Sequence, residues 1–494
     1  MEFNSLDFLV FFPIVVLLYF IIPPKLRYIW LLITSYYFYM GWNAKYASLI
    51  LFSTCATYIS ALIITSCGRL GGVLRKAVLA ICLIINIGIL FFFKYYNFVF
   101  VNISFLCGKI GLPFRYTQFD ILLPVGISFY TFQALGYIID VYRGELKAEK
   151  NFLKYALFVS FFPQLVAGPI ERSKNLLKQL ELPTFFSVDN ARQGLFTMAY
   201  GLFLKIVISD NIGNVINPIL NYSNYYGYHG MVVAACFVLF AFQIYCDFHG
   251  YTQIAIGSAK VLGYQLQENF NGPYLAKNIK DFWRRWHISL TSWFTDYVYI
   301  PLGGNRKGTI RKYINTAIVF LISGLWHGAS WGFVIWGGIN GLYLILHDIT
   351  KNIKENLIMR LKIDTTAFGW KFLTRIGTFF LVDYAWIYFR ADGLREALSM
   401  QKHIFSNLSP QYIFSNQFWQ MFGSYTNLLT IILSIAIVMT LDCLQYKGID
   451  WKKSVLNQQI FFRWFIYISI LFIILMCGVY GTGNEQTQFI YFQF

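Results

Sequence analysis

The stretch Ala77-Val78-Leu79-Ala80-Ile81-Cys82-Leu83-Ile84-Ile85-Asn86-Ile87-Gly88-Ile89-Leu90-Phe91-Phe92-Phe93 carries no charged side chain. It forms most of an apolar segment at about 77–100, and a helix needs about 20 such residues to cross a bilayer. Outward from it, further apolar segments occupy about 6–22, 28–42, 46–66, 121–141, 152–168, 194–217, 231–247, 314–347, 371–390, 425–444 and 461–481. Composition agrees: 57% of the 494 residues are hydrophobic, 20% are aromatic and 13% are charged, against about 25% charged in soluble domains. The expected fold class is all-α, a polytopic integral membrane protein, present as one membrane-embedded domain over 1–494.

The net charge of +17 does not indicate nucleic acid, because Lys and Arg stand in short clusters between apolar runs. Short basic loops stay in the cytoplasm. Arg69, Arg75 and Lys76 therefore share a side with Arg143, Lys147, Lys150 and Lys154, and with Lys447, Lys452 and Lys453. The Lys- and Arg-free loop 218–230 and the tail 482–494 fall outside. Residues 248–313, with Lys277, Lys280, Arg284, Arg285, Arg306, Lys307, Arg311 and Lys312, read as a cytoplasm-facing polar interruption. The eight cysteines have no metal-ligand spacing and read as packing residues, so no metal site is expected. The first apolar segment lacks the basic start and small-residue end of a cleaved signal peptide and is expected to remain.

Ionisable groups at membrane depth are costly and mark function. His327 lies in Gly324-Leu325-Trp326-His327-Gly328, between two apolar stretches too short to span comfortably. The sequence predicts a break there, with Gly324 and Gly328 admitting a backbone or ligand at close range. A neutral, buried imidazole suits a general base. His287 lies in Asp281-Phe282-Trp283-Arg284-Arg285-Trp286-His287-Ile288-Ser289-Leu290-Thr291-Ser292-Trp293-Phe294. At about 100° per residue the Trp, Phe and Leu side chains gather on one face, which predicts an amphipathic helix at the cytoplasmic interface with His287 at its apolar edge. His249, following Asp247, stands just beyond an apolar run.

Taken in order, Phe161-Phe162-Pro163-Gln164-Leu165-Val166-Ala167-Gly168-Pro169-Ile170, Asp247-Phe248-His249-Gly250-Tyr251, Glu268-Asn269-Phe270-Asn271-Gly272-Pro273-Tyr274, Phe282-Trp283-Arg284-Arg285-Trp286-His287, Pro301-Leu302-Gly303-Gly304-Asn305-Arg306 and Gly324-Leu325-Trp326-His327-Gly328 resemble the membrane-bound O-acyltransferase family. The likeness is to its bacterial branch, which serves alginate and peptidoglycan O-acetylation. It implies a helical bundle with a transmembrane tunnel and re-entrant or tilted segments, in the bacterial cytoplasmic (inner) membrane among its lipids. It further implies catalytic roles for His327 and His287, and substrate contacts from Trp326, Asp247, Tyr251, Asn269, Asn271, Arg284, Arg285 and Arg306. The implied donor is an acyl thioester, acetyl-CoA, used as a substrate with no permanently bound cofactor. The implied partner is an extracytoplasmic SGNH-type acetyltransferase or esterase. His249 and Gln253 depart from the Ser and Asp usual in that pattern, which bears on acceptor or partner specificity.

Lys277, Lys280, Arg284, Arg285, Arg306 and Arg311 are candidates for the phosphates of coenzyme A. The tail ends Phe489-Ile490-Tyr491-Phe492-Gln493-Phe494. Extended at about 3.3 Å per residue, residues 481–491 reach roughly 36 Å, more than half a hydrocarbon core of about 15 Å, so Tyr491 can thread back toward His327. A tyrosyl ester is a good acyl donor because its leaving phenol has a pKa of about 10. Tyr491 is therefore a third catalytic candidate, as an acyl relay; an aromatic anchor at the outer interface is the competing role. The rival function is a transporter or flippase, whose usual paired halves are not found here.

Overall fold

The computed structural model describes residues 1–67, 72–120, 123–166, 168–480 and 489–490. Arg69, Ala167 and Tyr491 lie outside the described residues, as does most of the tail 482–494. All regular structure among the described residues is helical. Seven helices there are long and apolar enough to cross a membrane: Ala44–Ser66, Gly72–Lys109, Val188–Leu220, Gly230–Val261, Trp331–Arg360, Tyr425–Tyr446 and Ile460–Cys477. The chain is an all-α, multi-pass membrane protein, as its composition requires.

Two compact units share the chain. The first comprises Met1–Met198 and Ile254–Gln267. It holds α1 (Leu6–Ile21), α2 (Arg27–Met40), α3 (Ala47–Ser66), α4 (Gly72–Leu90), α5 (Tyr96–Lys109), α6 (Ile127–Arg143), α7 (Phe152–Ser160), α8 (Phe162–Leu165) and α9 (Ser173–Glu181). The opening stretch 77–93 lies in α4 and in the π-helical turn Phe91–Tyr95 that joins it to α5. With lipid as solvent, polar side chains of neighbouring helices bond one another: Ser53 of α3 donates to Asn86 of α4 at 2.5 Å, and Tyr155 of α7 to Thr57 of α3 at 2.7 Å. The Phe-Phe-Pro motif turns the chain between α7 and α8. There Phe161 and Phe162 are buried and Gly126, at φ +73°, passes so close to the Leu165 carbonyl that a side chain would not fit.

The second unit comprises Ala199–Gln253 and Glu268–Phe494. The chain enters it through α10 (Val188–Leu202), which continues by a π-helical turn at Phe203–Ser209 into α11 (Asp210–Leu220). Then come α12 (Gly230–Val261), α13 (Ile279–Trp283), α14 (Ile288–Phe294), α15 (Thr309–His327), α16 (Trp331–Arg360), α17 (Phe368–Arg390), α18 (Leu394–Ser406), α19 (Asn416–Trp419), α20 (Tyr425–Tyr446), α21 (Trp451–Leu456) and α22 (Ile460–Cys477).

Two local expectations need correction. The apolar run 231–247 does not end its helix: α12 is 32 residues long, so Asp247, His249, Thr252 and Gln253 are helical. All four are buried, and partners within the protein replace the water that a polar boundary suggested. The segment 281–294 is not one amphipathic helix. It breaks between α13 and α14, and His287 takes the left-handed conformation at φ 45°, ψ 54°.

Candidate active site

The break at His287 is imposed by the preceding chain. The Asn269 carbonyl accepts the Ile288 N–H at 3.0 Å and its side-chain oxygen accepts the Ser289 N–H at 3.2 Å, capping α14. Asn271 donates its N–H to the Arg285 carbonyl at 3.1 Å, and Arg285 Nη1 returns a bond to the Asn271 carbonyl at 2.9 Å. Four bonds thus hold 285–289 against 269–271 and offset the cost of a non-glycine residue at positive φ. Asn269 and Asn271 therefore frame His287. Its imidazole is buried among rings, 4.7 Å from Phe248 and 5.9 Å from Trp326 between centroids. Burial lowers its pKa to about 3, keeping it neutral at ordinary pH.

His327 is the last residue of α15, at the expected break. Its ring lies 5.0 Å from Trp326, 4.9 Å from Trp336 and 5.4 Å from Phe389. Trp326 thus contacts both histidine rings. The glycines beside it serve the helix pair α15–α16: a methyl on Gly324 would lie 2.3 Å from the Phe333 carbonyl oxygen, and one on Gly337 2.2 Å from that of Phe320. At Gly328 the close neighbour is the Phe333 ring. Two backbones in near contact fix where α15 ends, and hence where His327 stands.

A cavity of about 390 Å³ adjoins these helices. Its lining includes Lys280 and Arg284, Lys312 in an ion pair with Asp348, and Trp283, Phe320 and Ser323 from α13 and α15. Ser323 precedes His327 by one helical turn, and the Trp283 ring is 5.8 Å from Trp336, which touches His327. The cavity offers basic groups to an anion and aromatic and aliphatic side chains to less polar atoms. Arg285 is instead engaged by Asp281 at 2.9 Å and lies 4.5 Å over the Tyr446 ring. Arg306 is exposed in the turn before α15 and does not line this cavity.

Residues of α12 face two ways. Asp247, Phe248 and Tyr251 share one side, where Asp247 Oδ2 accepts the Ile490 N–H at 2.7 Å and Phe489 packs 4.4 Å from Tyr251 and 6.0 Å from Phe248. Tyr245, His249 and Gln253 share the other. Tyr245 donates to Asp442 of α20 at 3.0 Å, Gln253 bonds Glu268 at 2.7 Å and accepts from Lys452 of α21, and His249 packs 5.9 Å from Tyr200. Of the two departures from the family pattern, His249 thus meets Tyr200 of α10 and Gln253 meets Glu268 and α21, on the side of α12 away from Phe489 and Ile490.

Lys205 and Asp210 escaped the sequence reading although Lys205 interrupts an apolar run. Lys205 Nζ lies 2.8 Å from Asp210 and 2.8 Å from Asp247, with all three side chains at most 2% exposed. Gly250 makes this possible, since a methyl there would press the Gly201 carbonyl at 2.8 Å and the Lys205 backbone at 3.0 Å. The cue was available: a lysine amid apolar residues at membrane depth needs a partner. Among the described residues no group of His, Cys, Asp and Glu is arranged to hold a metal.

The sequence pattern of the membrane-bound O-acyltransferase family matches residues 145–389, a range that contains both histidines, the Asp247 motif and the cavity. The chain is 36% identical to the probable alginate O-acetylase AlgI of Azotobacter vinelandii, over 82% of this chain and 78% of that one. It is 34% identical to the peptidoglycan O-acetyltransferase of Helicobacter pylori, over 79% and 77% of the two chains. A shorter match of 30% identity to the teichoic acid D-alanyltransferase of Bacillus subtilis covers 43% of this chain and 56% of that one. Kinship with acyl-transferring enzymes over most of the chain sets the transporter reading aside. This multi-pass membrane protein belongs to the membrane-bound O-acyltransferase family and is an O-acyltransferase.

Proposed function

We propose that the chain takes an acetyl group from acetyl-CoA at the cytoplasmic face of a bacterial inner membrane and passes it outward through Tyr491. An SGNH-type partner outside then places it on a surface or secreted polysaccharide. The observation that carries this reading is the placement of two buried histidine rings 5.9 and 5.0 Å from the Trp326 ring, beside a cavity with basic residues in its lining. Lys280 and Arg284 suit the phosphates of the donor, and the less polar lining suits its arm.

In the proposed step His327 removes the Tyr491 phenolic proton, and the phenolate oxygen attacks the thioester carbonyl. The C–O bond forms, the C–S bond breaks, and the departing thiolate takes the proton from His327. The Trp326 indole N–H and neutral His287 are the donors nearest at hand for the transient oxyanion. The tyrosyl ester then yields its acetyl group to the partner's serine, restoring the phenol. Acetyl-CoA acts as substrate throughout.

Mass spectrometry of the purified chain after incubation with acetyl-CoA tests this. The expected result is an acetyl adduct on the peptide containing Tyr491, absent from His327→Ala and from Tyr491→Phe. Thioester turnover without an adduct would remove the relay; no turnover with acetyl-CoA would remove the donor.

A further inference from the structure

Lys205, Asp210 and Asp247 form a buried ion triad that no step of the proposed chemistry uses. One lysine faces two carboxylates in a site closed to water. A backbone N–H from the tail joins them: Ile490 donates to Asp247 Oδ2 at 2.7 Å. Phe489, fully buried, lies 4.4 Å from Tyr251, whose ring is 5.9 Å from Lys205 Nζ. Phe248, which also touches Phe489, lies 4.7 Å from His287.

A second anchor lies upstream on the same helical segment. Val479 donates its N–H to the Ile206 carbonyl at 3.3 Å, and Asn211 bridges the carbonyls of Val207 and Cys477 at 2.9 and 2.8 Å. The π-helical turn Phe203–Ser209 displaces the backbone register here, as such turns do at functional sites. The tail is thus tied to one segment of chain at 477–479 and through Asp247 at 490.

We propose that the Asp247-Phe248-His249-Gly250-Tyr251 motif is a seat for the chain's own C-terminal peptide, with Asp247 as the positioning residue and Lys205 and Asp210 holding its carboxylate in place. The seat recognises the tail by its backbone through Asp247 and by an aromatic ring at position 489 through Phe248 and Tyr251. Gly250 is required because only a residue without a side chain lets α12 approach Lys205. Its purpose rests on the relay reading of Tyr491, which follows Ile490 by one peptide unit; the seating itself does not. A charge-assisted hydrogen bond in a dry site is strong enough to set the occupancy of the tail.

The experiment is hydrogen exchange on the full-length protein in detergent, resolved to the amides of residues 489 and 490 by fragmentation. Loss of a bond to a charged acceptor should speed exchange at least about tenfold. We expect that increase at both amides in Asp247→Ala, with α15 and α16 peptides unchanged. Ile490→Pro, which deletes the donated N–H and leaves Asp247, Lys205 and Asp210 in place, should show it at Phe489, whereas Ile490→Val should exchange as the native chain does. Native-like exchange at Phe489 in Ile490→Pro overturns the seat, and that variant decides alone if Asp247→Ala does not fold. Acetylation of Tyr491 is read on the same samples. A seat that opens as expected in a chain never acetylated at Tyr491 keeps the seat and removes the relay, whereas acetylation undiminished in Ile490→Pro removes the positioning role.

Discussion

Replacing Gly324 with alanine perturbs His327 without touching it. The new methyl would stand 2.3 Å from the Phe333 carbonyl oxygen and 3.1 Å from its carbon. Restoring ordinary van der Waals contact requires α15 to retreat from α16 by roughly 1 Å. Two features prevent a local escape: the obstacle is backbone in the first turn of α16, and the reciprocal approach is as close, since a methyl on Gly337 would lie 2.2 Å from the Phe320 carbonyl oxygen. Gly324 and His327 lie within one turn of the same helix, so the displacement is carried to the imidazole. Overpacking of this kind costs about 1–3 kcal/mol in stability, while a shift of about 1 Å at a catalytic group costs about 100-fold in rate. Thioester turnover followed by release of free thiol, with thermal unfolding in detergent measured alongside, should therefore show kcat falling about 100-fold in Gly324→Ala with little change in KM. Gly338→Ala supplies the comparison, because its methyl meets only a Leu321 side-chain carbon at 3.6 Å and should be tolerated. A folded Gly324→Ala protein turning over within threefold of native would refute the argument that helix contact sets the position of His327.

Other perturbations separate the remaining groups. Arg284→Ala should raise KM for acetyl-CoA several-fold, more at low ionic strength than at high, whereas Arg285→Ala should lower the unfolding temperature and leave KM alone, because Arg285 is bound to Asp281 and the Asn271 carbonyl; equal KM effects would deny the distinction. Lys205→Met leaves two carboxylates buried together and should cost about 3–5 kcal/mol of stability, while Asp210→Asn, which keeps the pair with Asp247, should cost less; the reverse order in detergent melts would show that the triad is wrongly drawn. His287 has a folded pKa of about 3, below the ordinary value of about 6.5. The native state therefore holds fewer protons between these values, and the stability from neutral His287 is complete above about pH 6.5 and lost as pH falls toward about 3. His287→Gln should accordingly flatten the acid side of a stability profile below pH 6.5, and a profile parallel to native would contradict that burial.

What was legible in the sequence and what was not divides along the range of the interactions concerned. The helical membrane class follows from apolar runs such as 77–93, since lipid leaves a chain no other way to satisfy its backbone here. The break at His327 was legible for a local reason: the small residues that allow it flank it in sequence. The break at His287 was not. Its helical period is sound, but the bonds that interrupt it come from Asn269 and Asn271, outside any window used to read a helix. The start of the polar interruption at 248 reads as cytoplasm-facing only where polarity is taken for exposure, whereas Asp247 and Gln253 are covered by Lys205, Glu268 and Lys452. Lys205 illustrates the same error from the other side. The rule that picked out the histidines, an ionisable group amid apolar neighbours, applies to it with equal force. Applied there, it asks for acidic partners, and points to Asp210 one to two turns along the same segment as well as to the more distant Asp247.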